Sequence, residues 1–422
     1  MNILLIGGGG REHCIAVSLA KSPRINNLHC IPGNAGIEKM AKCHNYDISN
    51  KKAILDFCIE QKIDMIFIGP EVPLVDGLAD YLNSNNFFTF GPSKKASQLE
   101  GSKSFTKKIC KNYNIPTAYY KSFSNKDATL EYIKSHPFPL VIKVDGLAAG
   151  KGVVIAENLE QANNSINEIF SGKFGSAGNE IVIEEFLQGE EASFFVISDG
   201  KSFIPLTSAQ DHKRIGEGDK GLNTGGMGAY SPAPIMTKDL EKKTIDKIIK
   251  PTIQALNDYD TPFIGILYAG LMIKDNEPKL IEYNVRFGDP ECQVIIPRLE
   301  NDLIELLVNV KEKNLDNYVL KWKNNFAMTV VLAAKGYPEN YQSGDEIIGL
   351  ENEKNHDDVE IYHAGTTKKN NSIITSGGRV LNINGYGESL AEARDKAYNL
   401  VNKVGWPNYY YRRDIGWRAL GD

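Results

Sequence analysis

Short apolar runs alternate with amphipathic stretches over the first hundred residues. Asn2–Ile6, Leu28–Ile31, Ile63–Ile68 and Phe87–Phe90 read as buried strands, and Arg11–Lys21 as the helix following the first. Turn residues close each strand: Gly7 to Gly10, Pro32-Gly33-Asn34, Gly69-Pro70-Glu71 and Gly91-Pro92. Apolar strands alternating with helices predict a parallel sheet covered on both faces. Such sheets bind ligands beyond the carboxyl ends of their strands, where these turns fall.

From Ser102 the pattern changes. A helix to about Tyr113 precedes a segment, Phe138–Glu185, in which strands flank a glycine loop and a helix, Leu159–Phe170. Strands near Ile181–Leu187, Ala192–Ser198 and Phe203–Thr207 are expected to be antiparallel, with a polar, glycine-rich loop after them from Ser208 to Pro234. Next come a helix (Lys238–Asn257), two strands (Gly265–Lys274, Lys279–Phe287) and a helical stretch from Pro290 to Leu315. The chain from Phe326 is strand-rich, with one clear helix at Ser389–Val404 and a solvated turn at Glu351–Asp358. A length of 422 residues suits about three domains. We place them at 1–101, 102–324 (with a flap at about 122–191) and 325–422.

Composition narrows the function. With 42% hydrophobic residues and a net charge of −5, the chain has material for several cores and no basic face for nucleic acid or anionic lipid. No apolar run is long enough for a membrane span, the amino terminus lacks a signal leader, and a cytoplasmic protein is expected. The six cysteines contain no C-x-x-C pair and the seven histidines no H-E-x-x-H, so neither a zinc site nor a disulfide framework is signalled.

Four constellations carry candidate chemistry. Gly9, Gly10 and Arg11 follow the first strand as a phosphate cradle would, but Glu12 stands where a dinucleotide fingerprint needs glycine, which argues against a nicotinamide enzyme. An unliganded tight turn is the plain alternative. Lys143 leads into Gly146-Leu147-Ala148-Ala149-Gly150-Lys151-Gly152, whose glycine spacing is wrong for a Walker loop and whose flanks are both strands. It reads as a lid whose amides and lysines neutralise phosphate. Strand residues Glu282, Asn284 and Arg286 share one face by alternation: an acid and an amide for a hard cation, an arginine for a transferring phosphoryl group. In the loop Gln210-Asp211-His212-Lys213-Arg214, Asp211 suits an ammonium and the two cations a phosphate or carboxylate, whereas His212 reads as a spectator.

The motifs G-G-R-E-H (9–13), P-G-N-A-G (32–36), Q-L-E-G-S-K (98–103), D-G-L-A-A-G-K-G (145–152), Q-D-H-K-R (210–214), N-T-G-G-M-G-A-Y-S-P (223–232), R-F-G-D-P-E (286–291), G-G-R-V-L (377–381) and D-I-G-W-R (414–418) run the length of the chain. Together they resemble the phosphoribosylamine–glycine ligase family of the ATP-grasp superfamily. The resemblance implies a multidomain α/β and α+β fold: a Rossmann-like front domain, an ATP-grasp nucleotide clamp and a small strand-rich carboxy-terminal domain. It implies ATP contacts at Lys103, Lys143, Gly150, Lys151, Gly152, Glu184, Glu185, Phe186, Leu187 and Glu191, and Mg²⁺ or Mn²⁺ at Glu282 and Asn284. Ligation of glycine to 5-phospho-β-D-ribosylamine through glycyl phosphate, the second step of purine synthesis, is the implied reaction. Arg286, Asp211 and Lys151 would act in catalysis, with Gly9, Gly10, Arg11, Glu71, Lys213 and Arg379 at the substrates. A stand-alone monomer is expected, with a weak homodimer as the alternative. Another ATP-grasp carboxylate–amine ligase or carboxylase of purine metabolism is the rival reading, and a non-catalytic nucleotide sensor a more distant one.

Overall fold

The computed structural model describes residues 1–148, 152–355 and 358–421. Its amino-terminal part is a five-stranded parallel sheet ordered Lys42–Cys43, Asn27–Pro32, Asn2–Gly7, Met65–Ile68, Thr89–Phe90. Strand alternation sends Leu4 and Ile6 into one core and Ile3 and Leu5 into another, so both faces are covered as the apolar runs require. The helix Gly10–Ala20 starts where the Glu12 carboxylate accepts the Gly9 N–H at 2.7 Å.

Two four-stranded antiparallel sheets form the middle of the molecule. One is ordered Tyr120–Phe123, Ile181–Glu185, Leu140–Val144, Val153–Ala156, and the helices Lys126–Ile133 and Leu159–Glu168 share its core. The other is ordered Phe203–Pro205, Glu190–Asp199, Ile264–Lys274, Glu277–Asn284. The strand at 181–185 therefore pairs within a different sheet from the strands at 190–199 and 203–205, although only Gly189 and its neighbours separate them in sequence. The helix Lys103–Asn112 begins on Ser102, whose hydroxyl accepts from the Phe105 N–H.

The carboxy-terminal sheet is ordered Gln210–Asp211, Gly228–Ser231, Phe326–Ala333, Arg379–Gly387, Val359–His363, with the helix Leu390–Val401 packed against it. Two of its strands come from the segment expected to be loop. That segment also holds a hairpin, Arg214–Gly216 with Lys220–Asn223. Strands this short carry little β signal, and Gly228–Ser231 finds its second partner, Phe326–Ala333, a hundred residues further along the chain. The stretch expected to be helical from Pro290 to Leu315 is instead a short helix Cys292–Ile295, a 3₁₀ turn Ile296–Arg298 containing Pro297, and a helix Leu303–Lys311 capped by Asp302. Proline breaks the hydrogen-bond ladder at that point, and the aspartate starts a fresh one.

Candidate functional site

A cavity of about 680 Å³ opens between the two central sheets and reaches both terminal parts. Its apolar end is walled by Val141, Val153, Ile155, Phe186, Leu187, Met272 and Ile281. Phe186 is 37% exposed and offers this end a flat apolar face.

Lysines cross the floor beside this end. The Nζ atoms of Lys107 and Lys143 lie 3.1 and 3.0 Å from Glu184 Oε2, all three side chains being at most 5% exposed. Glu184 Oε1 is buried without a partner among the described residues. Burial, opposed by Glu184, lowers the pKa of Lys107. Lys103, one helical turn before Lys107, donates to the Gly146 carbonyl at 3.3 Å. Gly146, Leu147, Ala148 and Gly152 line the same cavity, so the described ends of the glycine loop face Glu282 across it. Gly150 and Lys151 lie outside the described residues.

Glu282 and Asn284 project from the strand Glu277–Asn284 into the cavity. Burial alone would raise the Glu282 pKa, yet Lys213, Lys143, Lys103 and Arg286 together hold it below the ordinary carboxylate value. Among the described residues, no three His, Cys, Asp or Glu side chains converge as a self-sufficient metal site. An ionised carboxylate beside an amide oxygen, with room in front, fits a Mg²⁺-like ion that takes its remaining oxygens from nucleotide and water.

Arg286 lies just past the strand end. Its Nη2 is 2.9 Å from Glu100 Oε1, its Nε 3.3 Å from Glu71 Oε2, and Nη1 donates to the Phe287 carbonyl at 3.2 Å. Burial would lower the Arg286 pKa, but Glu100 and Glu71 raise it above the ordinary value, so the guanidinium stays charged. Glu100 also accepts the Val285 N–H at 2.8 Å, tying the arginine to the backbone beside it. Arg11 lines the cavity but is engaged by Glu12 at 2.6 Å and by the Phe287 carbonyl at 3.0 Å.

The opposite end is mixed in charge. Asp211 Oδ1 is buried without a partner among the described residues. Burial, then Glu291, pushes its carboxyl well above the usual carboxylate range. Lys213 faces Glu191 at 3.4 Å. Arg379 lies 3.4 Å from Asp289 and donates to the carbonyls of Asp289 and Gly225 at 2.6 and 2.8 Å. Glu291 accepts from Tyr268 at 2.8 Å.

The cavity thus brings together Arg11, Glu71, Lys103, Lys143, Gly152, Glu184, Glu185, Phe186, Leu187, Glu191, Asp211, Lys213, Glu282, Asn284, Arg286 and Arg379. Gly9 and Gly10 stand apart from its wall: the Gly9 N–H is taken by Glu12, and a Cβ at Gly10 would meet Asn382 at 2.2 Å. His212 is fully buried and accepts the Gly416 N–H at 3.2 Å, and burial lowers its pKa to about 3. Sequence reasoning missed Lys107, Glu100 and Glu291. Lys107 was signalled by its i, i+4 spacing from Lys103, and Glu100 and Glu291 stand inside motifs already singled out.

Three family models match the chain: the phosphoribosylglycinamide synthetase N domain over residues 1–100, its ATP-grasp (A) domain over 101–292, and its C domain over 327–418. A phosphoribosylamine–glycine ligase from Brucella melitensis is 50% identical over 420 residues, covering 100% of this chain and 98% of the relative. A chloroplastic counterpart from Arabidopsis thaliana is 50% identical, covering 97% of this chain and 79% of its own length. The crystal structure of the Thermotoga maritima phosphoribosylamine–glycine ligase superposes with a TM-score of 0.82 at 35% identity, covering 98% of this chain and 100% of that one. The chain belongs to the phosphoribosylglycinamide synthetase family, with its N, ATP-grasp and C regions in that order.

Proposed function

We propose that this protein joins glycine to 5-phospho-β-D-ribosylamine, converting ATP to ADP and phosphate. One observation carries the reading: a single cavity links a lysine-floored apolar slot, an ionised acid beside an amide, and a buried carboxylate that lacks a partner among the described residues.

The adenine lies against Phe186 and Leu187, and Lys103, Lys107, Lys143 and the glycine loop hold the phosphates. Glu282 and Asn284 would hold Mg²⁺ or Mn²⁺, which supplies charge neutralisation to the triphosphate. Asp211 takes the glycine ammonium and thereby aims the carboxylate at the γ-phosphoryl. A carboxylate oxygen attacks phosphorus, ADP leaves, and glycyl phosphate forms while Arg286 offsets charge on the transferring group. The amine of phosphoribosylamine, oriented by Glu71, then attacks the acyl carbon. Phosphate leaves, the nitrogen loses its proton to it or to solvent, and glycinamide ribonucleotide remains. Lys213 and Arg379 serve the anionic groups of the substrates, and closure around the glycyl phosphate excludes water. No protein nucleophile is required.

Among the described residues no helix is long and apolar enough to cross a membrane. A cytoplasmic enzyme acting on small molecules is the reading that fits. Purified protein supplied with MgATP, glycine and phosphoribosylamine should release ADP and a product with the mass of glycinamide ribonucleotide. ADP release with bicarbonate or formate and another purine precursor, but not with glycine, would transfer the assignment to a sister ATP-grasp enzyme.

A further inference from the structure

The tail motif D-I-G-W-R takes no part in the chemistry above, yet it is bound into the cavity wall. Arg412, fully buried, directs Nε and Nη2 to Asp414 at 2.8 and 2.7 Å, and Nη1 to Asp219 at 2.9 Å and to the Arg214 carbonyl at 3.0 Å. The second carboxylate oxygen of Asp219 is paired with Arg418. Around them, Gly416 N–H donates to His212 Nε2 at 3.2 Å and Gly218 N–H to Asp414 Oδ2 at 2.8 Å. Arg413 N–H donates to Glu217 at 3.2 Å, and the Tyr410 hydroxyl to the Ile215 carbonyl at 2.9 Å.

Every one of these bonds lands on the segment 212–219, or on the tail residues that reach it. This segment runs on directly from Asp211 and carries Lys213, Arg214 and Asp219 into the cavity. Its hairpin, Arg214–Gly216 with Lys220–Asn223, is a separate two-stranded sheet. Two short strands are marginal without outside support, so the tail supplies what the hairpin lacks. Among the described residues, no hydrogen bond from 410–418 reaches Lys103, Lys107, Lys143 or Glu184, which belong to other elements.

We propose that residues 410–418 form a strap that positions the amino-acid and amine end of the cavity, with Arg412 as its positioning residue, acting through Asp219, Arg214 and the backbone around His212. The inference rests on the ligase reading, since it assigns that end to glycine and phosphoribosylamine. Its consequence is an unequal division of labour: the tail sets the pose of the joined substrates and reaches the nucleotide end only indirectly, through Lys213, which faces Glu191 and helps hold Glu282 charged. Small misplacements of a reacting group are costly, on the order of 10²-fold for about 1 Å.

The test compares the wild-type protein with Arg412→Gln and Arg418→Gln. Arg418 is partly exposed and itself lines the cavity, so its replacement cuts the Asp219 contact with little risk to folding, while the fully buried Arg412, which does not line the cavity, reports positioning without direct contact. KM for glycine or phosphoribosylamine should rise about tenfold or more while binding of a non-hydrolysable ATP analogue, read by calorimetry, stays within about twofold. Amide exchange should speed up across 212–223 in Arg412→Gln and stay unchanged across 103–107. Equal losses at both ends of the cavity, or a flat KM in folded variants beside an active wild type, overturn the strap alone. A wild type inactive with glycine removes the ligase reading, and the positioning role with it.

Discussion

The Asp211 carboxyl, buried at the mixed-charge end of the cavity, is held far from its ordinary protonation range. Burial and the neighbouring Glu291 raise its pKa well above the carboxylate norm, while Lys213 and Arg379 only partly oppose them. A group that holds its proton more tightly in the fold than in the unfolded chain favours the fold at low pH, and that contribution is lost as pH rises through the folded pKa. Asp211→Asn should therefore leave the empty protein at least as heat-stable as wild type near neutral pH. It should raise the glycine KM by on the order of 10²-fold, because a neutral amide cannot hold an ammonium as the carboxylate does. Glycine binding to wild type should expel a proton, seen as a buffer-dependent binding enthalpy; the same enthalpy in every buffer would mean that Asp211 is already ionised. Glu282 behaves in the opposite sense, since four cations keep it charged. Glu282→Ala should lower kcat by about 10²-fold or more, the scale of losing one electrostatic stabiliser, and steady-state rates at saturating ATP would check this.

At the scale of elements, geometry around single glycines decides what the side chains can reach. Gly226 has φ +114, and a Cβ there would lie 2.4 Å from Pro290 Cδ and 2.7 Å from Asp211 Oδ1. Gly226→Ala should displace Asp211 and reduce glycine turnover at least tenfold with ATP binding preserved, which calorimetry beside turnover assays would reveal. The strand Glu277–Asn284 was legible because alternation alone sends Glu282 and Asn284 to one face. Arg286 was legible as a residue but not as a pose. It sits beyond the strand end, and its orientation comes from Glu71 and Glu100, which are 215 and 186 positions away. Likewise Glu184 could be found in the acidic turn, whereas its clamp between Lys107 and Lys143 needs a helix and a strand to meet. Removing Lys107 leaves a buried carboxylate with one partner fewer. Lys143 still pairs with Glu184, so Lys107→Met should destabilise the fold by roughly 1–3 kcal/mol, measurable by denaturant unfolding.

Across the whole molecule, the parallel front sheet and the strand-rich carboxy-terminal part could be read from hydrophobic period, but the seam between parts could not. Gly228–Ser231 pairs on one side with Gln210–Asp211 and on the other with Phe326–Ala333, so one sheet is drawn from segments a hundred residues apart. No local pattern signals such a pairing, since its register is set by packing. Ala229 meets Thr329 and Tyr230 meets Met328, with Tyr230 fully buried and its hydroxyl on Gln210. The wall carrying Asp211 thus stands only while the carboxy-terminal sheet is folded. Tyr230→Ala removes the largest side chain at this seam and should cost roughly 3–5 kcal/mol, the range for large aromatic truncations in cores. Because the seam is shared, the carboxy-terminal sheet and the amino-acid end of the cavity should weaken together, whereas the lysine floor is anchored on other sheets. Saturating an ATP analogue at about 100 times its Kd would add about 2.7 kcal/mol to the intact protein and a similar amount to the variant. Adding glycine should then raise the midpoint of wild type further and that of Tyr230→Ala hardly at all. Equal glycine stabilisation in both proteins would show that Asp211 keeps its place without the seam.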